Sequence, residues 1–178
     1  MTVSIQTPTL ETERLILRAP KPKDVDAYVA HFASERSQYV GGPKSADDAW
    51  EIFVYEMGHW VMRGFGSFMI TRKGSDDAIG LAGHLHQPWD PEKEVGWILF
   101  DGKDEGQGLA FEAAKACIDH AWKVLKWDTI VSYIDPRNAA SIKLAERLRA
   151  AHDPDAKFPN PLKPWGLVYR HPKPEGLQ

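Results

Sequence analysis

The chain has 178 residues, enough for one domain with a sizeable core. Apolar residues make up 43% and charged residues 26%, the balance of an ordinary globular protein, and a net charge of -3 excludes an overall basic field for nucleic acid. The single cysteine, Cys117, excludes an internal disulfide.

"RLILRAP", residues 14 to 20, reads as a short apolar strand ended by Pro20. Asp24 stands as N-cap of a helix over "VDAYVAHFASE", with Val25, Tyr28, Val29 and Phe32 at helical spacing. "QYVGGPKS", 38 to 45, is loop by its glycines and proline, and Ser45 caps a second helix, "ADDAWEIFVYEMGHWVMR". Strands follow at roughly 65 to 72 and 78 to 86, joined by a turn at "KGSDD". "EVGWILF", 94 to 100, is a third strand of this meander, and its nearly continuous apolar run places it centrally. A helix spans about 106 to 125, with Leu109, Ala113, Ala116, Cys117, Ala121 and Leu125 on one stripe. "DTIVSYI" is a strand stopped by Pro136, Asn138 caps a helix to about Leu148, and a proline-rich loop, 153 to 166, leads to a terminal strand at "LVYRHP". The order is mixed α/β in one domain over 1–178.

The amino terminus lacks the basic segment and long apolar run of a signal peptide, and no run of about 18 apolar residues exists to cross a membrane. A cytoplasmic location is expected, with neither membrane nor nucleic acid as partner.

Gly106 and Gly108 stand where the third helix begins, although glycine is a poor helix former. The first N–H groups of a helix lack internal partners and, with the macrodipole, form an anion site that glycine lets a ligand approach closely. This strand, G-x-G, helix order lacks the further glycine of a dinucleotide fold and the Gly-Lys-Ser/Thr of a P-loop. The plainer alternative is a helix start with a capping box, Asp104 with Gln107.

"EGQGLAFEA" after a strand, followed by a strand ending "YIDPRNAASIKLAERL", resembles the GNAT N-acetyltransferases. With "LETERLILRAPKPKD" near the start and "LVYRHP" near the end, the likeness is to the branch typified by ribosomal-protein alanine N-acetyltransferases, over about residues 9 to 171. The resemblance implies a GNAT fold: a mixed central sheet with two splayed parallel strands, flanked by helices. It implies acetyl-CoA as co-substrate, no metal, and an amine acceptor, either a small molecule or a protein N-terminus. A homodimer is compatible with this branch. By the same resemblance, backbone groups of Gly106, Gln107, Gly108 and Ala110 hold the pyrophosphate of CoA. The strand residues Ile98, Leu99 and Phe100 line the pantetheine arm and supply a backbone N–H to the oxyanion, and Asn138 bonds that arm. Two positions depart from the family pattern: Glu105, where Arg or Gln is usual, and "LRA", 148 to 150, where Leu-Gly is common.

Acetyl transfer to an amine needs a neutral amine, a polarised thioester and a proton for the departing thiolate. The base candidates are Glu94, His84 and His86; a plain surface carboxylate and a solvated strand face are the alternatives. Ser141 and Tyr133 are the acid candidates, and Ser141 also matches a CoA-contacting position; helix capping alone would equally explain Asn138 and Ser141. The loop 36 to 45 and the start of the second helix are expected to wall the acceptor groove, with Tyr39, His84 and His86 lining it and Asp47, Asp48 and Glu51 as acids selecting a cation. A non-catalytic acyl-CoA-binding module is the rival, kept open by Glu105 beside an anion site. Cys117, mid-helix on the apolar stripe, reads as a buried hydrophobe.

Overall fold

The computed structural model describes residues 7–159 and 166–176, so the expected proline-rich loop is described only in part. The strands are β1 (Leu10–Glu11), β2 (Leu15–Arg18), β3 (Ser67–Arg72), β4 (Ala78–Leu85), β5 (Glu94–Leu99), β6 (Val131–Ile134), β7 (Ala151–His152) and β8 (Leu167–Arg170). The helices are α1 (Val25–Phe32), α2 (Ala46–Arg63), α3 (Leu109–Lys123) and α4 (Ala139–Arg147). One mixed sheet runs β1-β2-β3-β4-β5-β6-β8-β7. All neighbours are antiparallel except β5 and β6, which are parallel.

Strand periodicity divides the core between the two faces. Met69 and Leu81 pack with Tyr28, Phe32, Ala49 and Phe53 of α1 and α2. Phe68, Ile70, Ala82 and Val95 point the other way, onto Leu109, Ala113, Cys117 and Ala121 of α3. The expected stripe on α3 is therefore its buried face, and Cys117 lies inside it, with burial pushing its thiol pKa up.

Local chemistry explains where the elements begin and end. Ser45 caps α2 as expected, accepting the Asp48 N–H at 3.1 Å. Asp24 stands at the N-cap position of α1 as expected, but its side chain makes no capping bond. Its buried carboxylate accepts two hydrogen bonds from Arg18, at 2.7 and 2.8 Å, and the Lys21 N–H at 2.7 Å, tying β2 to the turn before α1. Helix α1 ends at Phe32, three residues early, and a one-turn 3₁₀ helix over Glu35–Ser37 follows. Helix α3 starts at Leu109, later than periodicity suggests, because Gly106 and Gly108 hold φ of 71° and 77° and stand outside it. The Asp104–Gln107 capping box is absent too: Asp104 is buried and accepts from Arg72 at 2.9 Å, while Gln107 donates to Lys103 O. After α4 the chain turns through Arg149, at φ 66°, into the short β7. A glycine would take that conformation freely; arginine does so at a cost of roughly 1–2 kcal/mol.

Candidate active site

The parallel pair β5–β6 meets at one register step, Glu94 opposite Val131. Beyond it the strands diverge, and a cleft of about 700 Å³ opens between their carboxyl-terminal ends. Its walls come from β5, the glycine loop, α3, α4 and the segment between α1 and α2. Tyr39, Ile98, Leu99, Gly106, Gly108, Ala110, Asn138 and Ser141 all line it, so eight of the residues singled out in the sequence converge on one cavity.

The glycine loop presents a helix end without a cap. Helix α4 is capped by Asn138, whose side-chain oxygen accepts the Ser141 N–H at 3.1 Å, and α2 by Ser45. At α3 the cap position is Gly108, which offers no side chain. The first-turn N–H groups of a 15-residue helix therefore face the cleft with the positive end of the dipole behind them. A Cβ built on Gly106 would meet nothing within 4 Å, so the space before the loop is open. One built on Gly108 would lie 3.6 Å from an Arg14 guanidinium nitrogen and 4.0 Å from one of Arg147. Arg147 also lies over the Phe111 ring, 4.2 Å from its centroid, and Lys143 lines the same wall. These cations were missed in the sequence: Arg14 is about ninety residues from the loop in the chain, and only folding brings it there.

Glu105 does not point into this site as a bare carboxylate. It pairs with Arg36, whose Nε also donates to Phe100 O at 3.2 Å. Asp104 is held by Arg72, and Asp101 accepts the Lys103 N–H at 3.0 Å. Each acid flanking the anion site has its own partner.

The floor of the cleft is backbone. Phe100 donates its N–H to Ile79 O at 2.9 Å. Because antiparallel residues alternate between bonded and non-bonded pairs, Ile98 and Phe100 turn their N–H groups toward β4, and Trp97 and Leu99 turn theirs toward the gap before β6. Of the three strand positions named from the sequence, Leu99 alone offers its amide to the cleft. Ile98 lines it by side chain, and the Phe100 amide is used in the sheet. Trp97 fills the gap, and its indole N–H donates to Ser141 Oγ at 3.3 Å. Asn138 and Ser141 therefore serve as cap and as cleft wall together: the Asn138 amide N–H groups and the Ser141 hydroxyl proton are not consumed by the cap.

Glu94 and Tyr133 lie elsewhere. Strand parity puts Glu94 on the α2 side of the sheet, where it is half-buried, and loss of solvent pushes its carboxyl pKa up to about 8. The charges of Asp90 and Glu56 add to that rise, and the Tyr133 backbone opposes it by hydrogen bonding. Glu56, from α2, accepts the Tyr28 hydroxyl at 2.9 Å, and its other oxygen is buried without a partner; its pKa is raised by burial. Asp90 accepts the Gln87 N–H at 2.6 Å and is raised likewise. The Tyr133 hydroxyl is raised by burial, and its oxygen accepts the Glu92 N–H at 3.2 Å, away from the Gly-loop cleft. The acids beside Glu94 are thus Glu56 and Asp90. Asp47, Asp48 and Glu51, expected as acids selecting a cation in the acceptor groove, are exposed on the first turns of α2.

The histidines separate. His84 is fully buried against α3, with Nε2 2.9 Å from Cys117 O and its ring edge-on to Phe68 and Trp127. It lines no groove, and burial holds its pKa down at about 4. Strand β4 ends at Leu85, so alternation no longer links His86 to His84. His86 instead comes within electrostatic range of His59 and Asp90. Gln107 holds its place through backbone and side chain, its carbonyl accepting from Arg14 at 2.9 Å.

Residues 14–151 match the Acetyltransferase (GNAT) domain family. The chain belongs to the GNAT acetyltransferase family. An acetyltransferase from Agrobacterium tumefaciens strain C58 is 40% identical, covers 97% of this chain and 98% of its own, and superposes with a TM-score of 0.88. A ribosomal-protein-S5-alanine acetyltransferase from Vibrio fischeri shares the fold at 17% identity and a TM-score of 0.68, covering 97% of this chain and 100% of its own. A RimL ribosomal L7/L12 α-N-protein acetyltransferase, solved with coenzyme A, shares it at 17% identity and 0.70, over 92% of this chain and 96% of its own. The branch expected from the sequence is thus among the structural neighbours of this GNAT protein. No helix among the described residues is long and apolar enough to cross a membrane.

Proposed function

We propose that this GNAT protein transfers an acetyl group from acetyl-CoA to a primary amine by direct attack, with both substrates bound at once. The observation that carries this is the uncapped start of α3, with two left-handed glycines and two guanidiniums beside it, at the mouth of a cleft between diverging parallel strands. That donor set fits a diphosphate: amides without partners, a dipole, and the positive charge of Arg147 and Lys143 on the wall, Arg14 being paired with Glu112. Bound acetyl-CoA supplies an activated acyl group as a thioester. The N–H groups of Gly106 to Ala110 hold its phosphates, Asn138 holds the arm, and the Leu99 N–H polarises the carbonyl oxygen. Ser141 gives the leaving sulfur a proton; its hydroxyl accepts from Trp97 and keeps its own hydrogen, which supports that role.

Glu94 acts as the general base. A carboxyl with pKa about 8 matches an α-amine, at about 7.7–8.0, far better than a lysine amine at about 10.4. Proton transfer from an α-ammonium to Glu94 is nearly level, whereas transfer from lysine runs uphill by about two units. This favours an α-amine acceptor, on a protein N-terminus or a small molecule, and a structural neighbour named as a ribosomal L7/L12 α-N-protein acetyltransferase supports it. Tyr133 supports the base side, through its backbone at Glu94, more than it serves as an acid. The rival reading, a non-catalytic CoA-binding module, drew on Glu105, and its pairing with Arg36 removes that support. A reducing cytoplasm fits the single buried thiol.

Calorimetry with CoA, followed by thiol release over a panel of α-amines and lysine amines, tests the reading. Binding with release on α-amines is the expected result. Binding without release for any amine would leave the module, and no binding would overturn both.

A further inference from the structure

The ladder between β5 and β6 stops after one step, and its hydrogen bonds show what stops it. Val131 donates its N–H to Lys93 O at 3.0 Å, and Glu94 faces Val131. A parallel ladder advances by two residues per bond, so the next bond would run from the Tyr133 N–H to Val95 O. That bond would make Val95 and Ser132 a second register pair, and no such pair exists among the described residues. The Ser132 hydroxyl takes the acceptor instead, donating to Val95 O at 2.6 Å. A side chain thus occupies the acceptor that would have continued the pairing.

Ser132 has a single hydroxyl proton, and Val95 uses it. His171 Nε2 lies 2.9 Å from the same oxygen and therefore carries the hydrogen that it shares. Nδ1 is then the bare nitrogen, buried and without a partner, as it is found. His171 is fixed by its own N–H to Ile130 O at 3.0 Å and stands edge-on to Trp97 with ring centroids 6.5 Å apart. Both side chains are buried, so neither is a nucleophile open to substrate.

We propose that the buried Ser132–His171 pair is a positioning device that ends the parallel ladder at Val95 and so keeps the Trp97 and Leu99 amides open to the acyl-CoA arm. The functional half rests on the acetyl-CoA reading of the cleft; the structural half does not. Without the hydroxyl, Val95 O has no partner, the Tyr133 N–H moves onto it, and the Trp97 amide finds Tyr133 O. The strands close by one step at the place where the arm must enter.

Hydrogen exchange on the unliganded protein reads the ladder, and calorimetry with CoA reads the cleft. In Ser132→Ala, exchange at the Trp97 amide should slow about tenfold or more. The Kd for CoA should rise about tenfold or more. Ser132→Thr keeps the hydroxyl and should return both to within about threefold of wild type. His171→Leu, which spares the hydroxyl but removes its orienting donor, should slow Trp97 exchange about two- to fivefold, and it decides the matter if the alanine variant does not fold. Unchanged Trp97 exchange in the folded variants overturns the proposal, as does a threonine variant no better than alanine. Failure of wild type to bind CoA would sink the acetyltransferase reading while leaving the exchange result to judge the ladder.

Discussion

The two sides of the β5 strand are built from different materials. The cleft side, toward α3 and α4, is made of backbone: left-handed glycines, an uncapped helix, strand amides left over by parity. Its acids, Asp101, Asp104 and Glu105, are each tied to a cation or an N–H. The opposite side, toward α2, is made of side chains. There Glu94, Glu56 and Asp90 share a poorly solvated space, and each is pushed toward its neutral form. Backbone donors bind an anion with a charge that no pH change removes; crowded carboxyls tune a proton affinity. One side is suited to holding a fixed ligand and the other to moving a proton.

Removing the proton-moving group gives the largest expected effect. Glu94→Gln keeps shape and removes the proposed base, so kcat/KM for an α-amine should fall about 10²–10⁴-fold. Wild-type kcat should climb with pH to a plateau above about 8, where Glu94 is ionised, and the variant should lack that limb. A variant that keeps the limb takes Glu94 out of the role. CoA affinity should hardly change, since Glu94 lies outside the cleft; a large loss would mean that the two sides are not separable.

Damage to the backbone side should show the converse. Gly108→Val places a β-branched residue at φ 77° and puts methyl groups toward Arg14 and Arg147. The Kd for CoA should rise at least about tenfold, while the pH dependence of what activity remains should not move. An unchanged Kd by calorimetry would refute the cradle at this helix end.

The carboxyl side also leaves a trace in stability. The Glu94 pKa is raised from 4.5 to about 8 on folding, so the native state holds its proton more tightly. That contribution is complete below about pH 4.5 and is lost as pH rises through 8. Glutamine stays neutral throughout. Glu94→Gln should therefore melt several degrees above wild type near pH 9 and within about a degree of it near pH 4.5. Equal offsets at both values, by thermal melts, would mean that burial does not raise this group.

The contrast also decides what could be read from the chain. A glycine in a left-handed turn leaves its mark at its own position, so Gly106, Gly108 and the caps Ser45 and Asn138 were legible, as was the strand order around them. Glu56 and Asp90 carry no local mark. Their role comes from α2 crossing the far end of β5, and in sequence Asp47 and Glu51 look as good. Arg14, Arg147 and the Ser132–His171 pair were hidden for the same reason, each brought into place by packing between elements distant in the chain. His84 misled because alternation told that His84 and His86 share a face, but not that β4 ends at Leu85 and that this face is covered by α3. Asp24 marks the helix start as its pattern suggests, but its carboxylate is caught by a buried arginine and not by the helix N–H groups.

Glu105 is where the two sides could be confused, and it gives the smallest expected effect. Taken from the sequence, a carboxylate beside a diphosphate site should weaken binding, and its removal should help. The side chain is 56% exposed and paired with Arg36, so most of its field is cancelled nearby and screened by water. Glu105→Gln should change the Kd for CoA by no more than about threefold, the scale of one exposed ion pair. Arg36→Gln exposes the same carboxylate unpaired and should weaken CoA by more than Glu105→Gln changes it. The double variant should return close to wild type, because it removes the charge along with its partner. Additive effects instead would mean that Arg36 serves the ligand directly, joining Lys143 and Arg147 on the wall of the cleft.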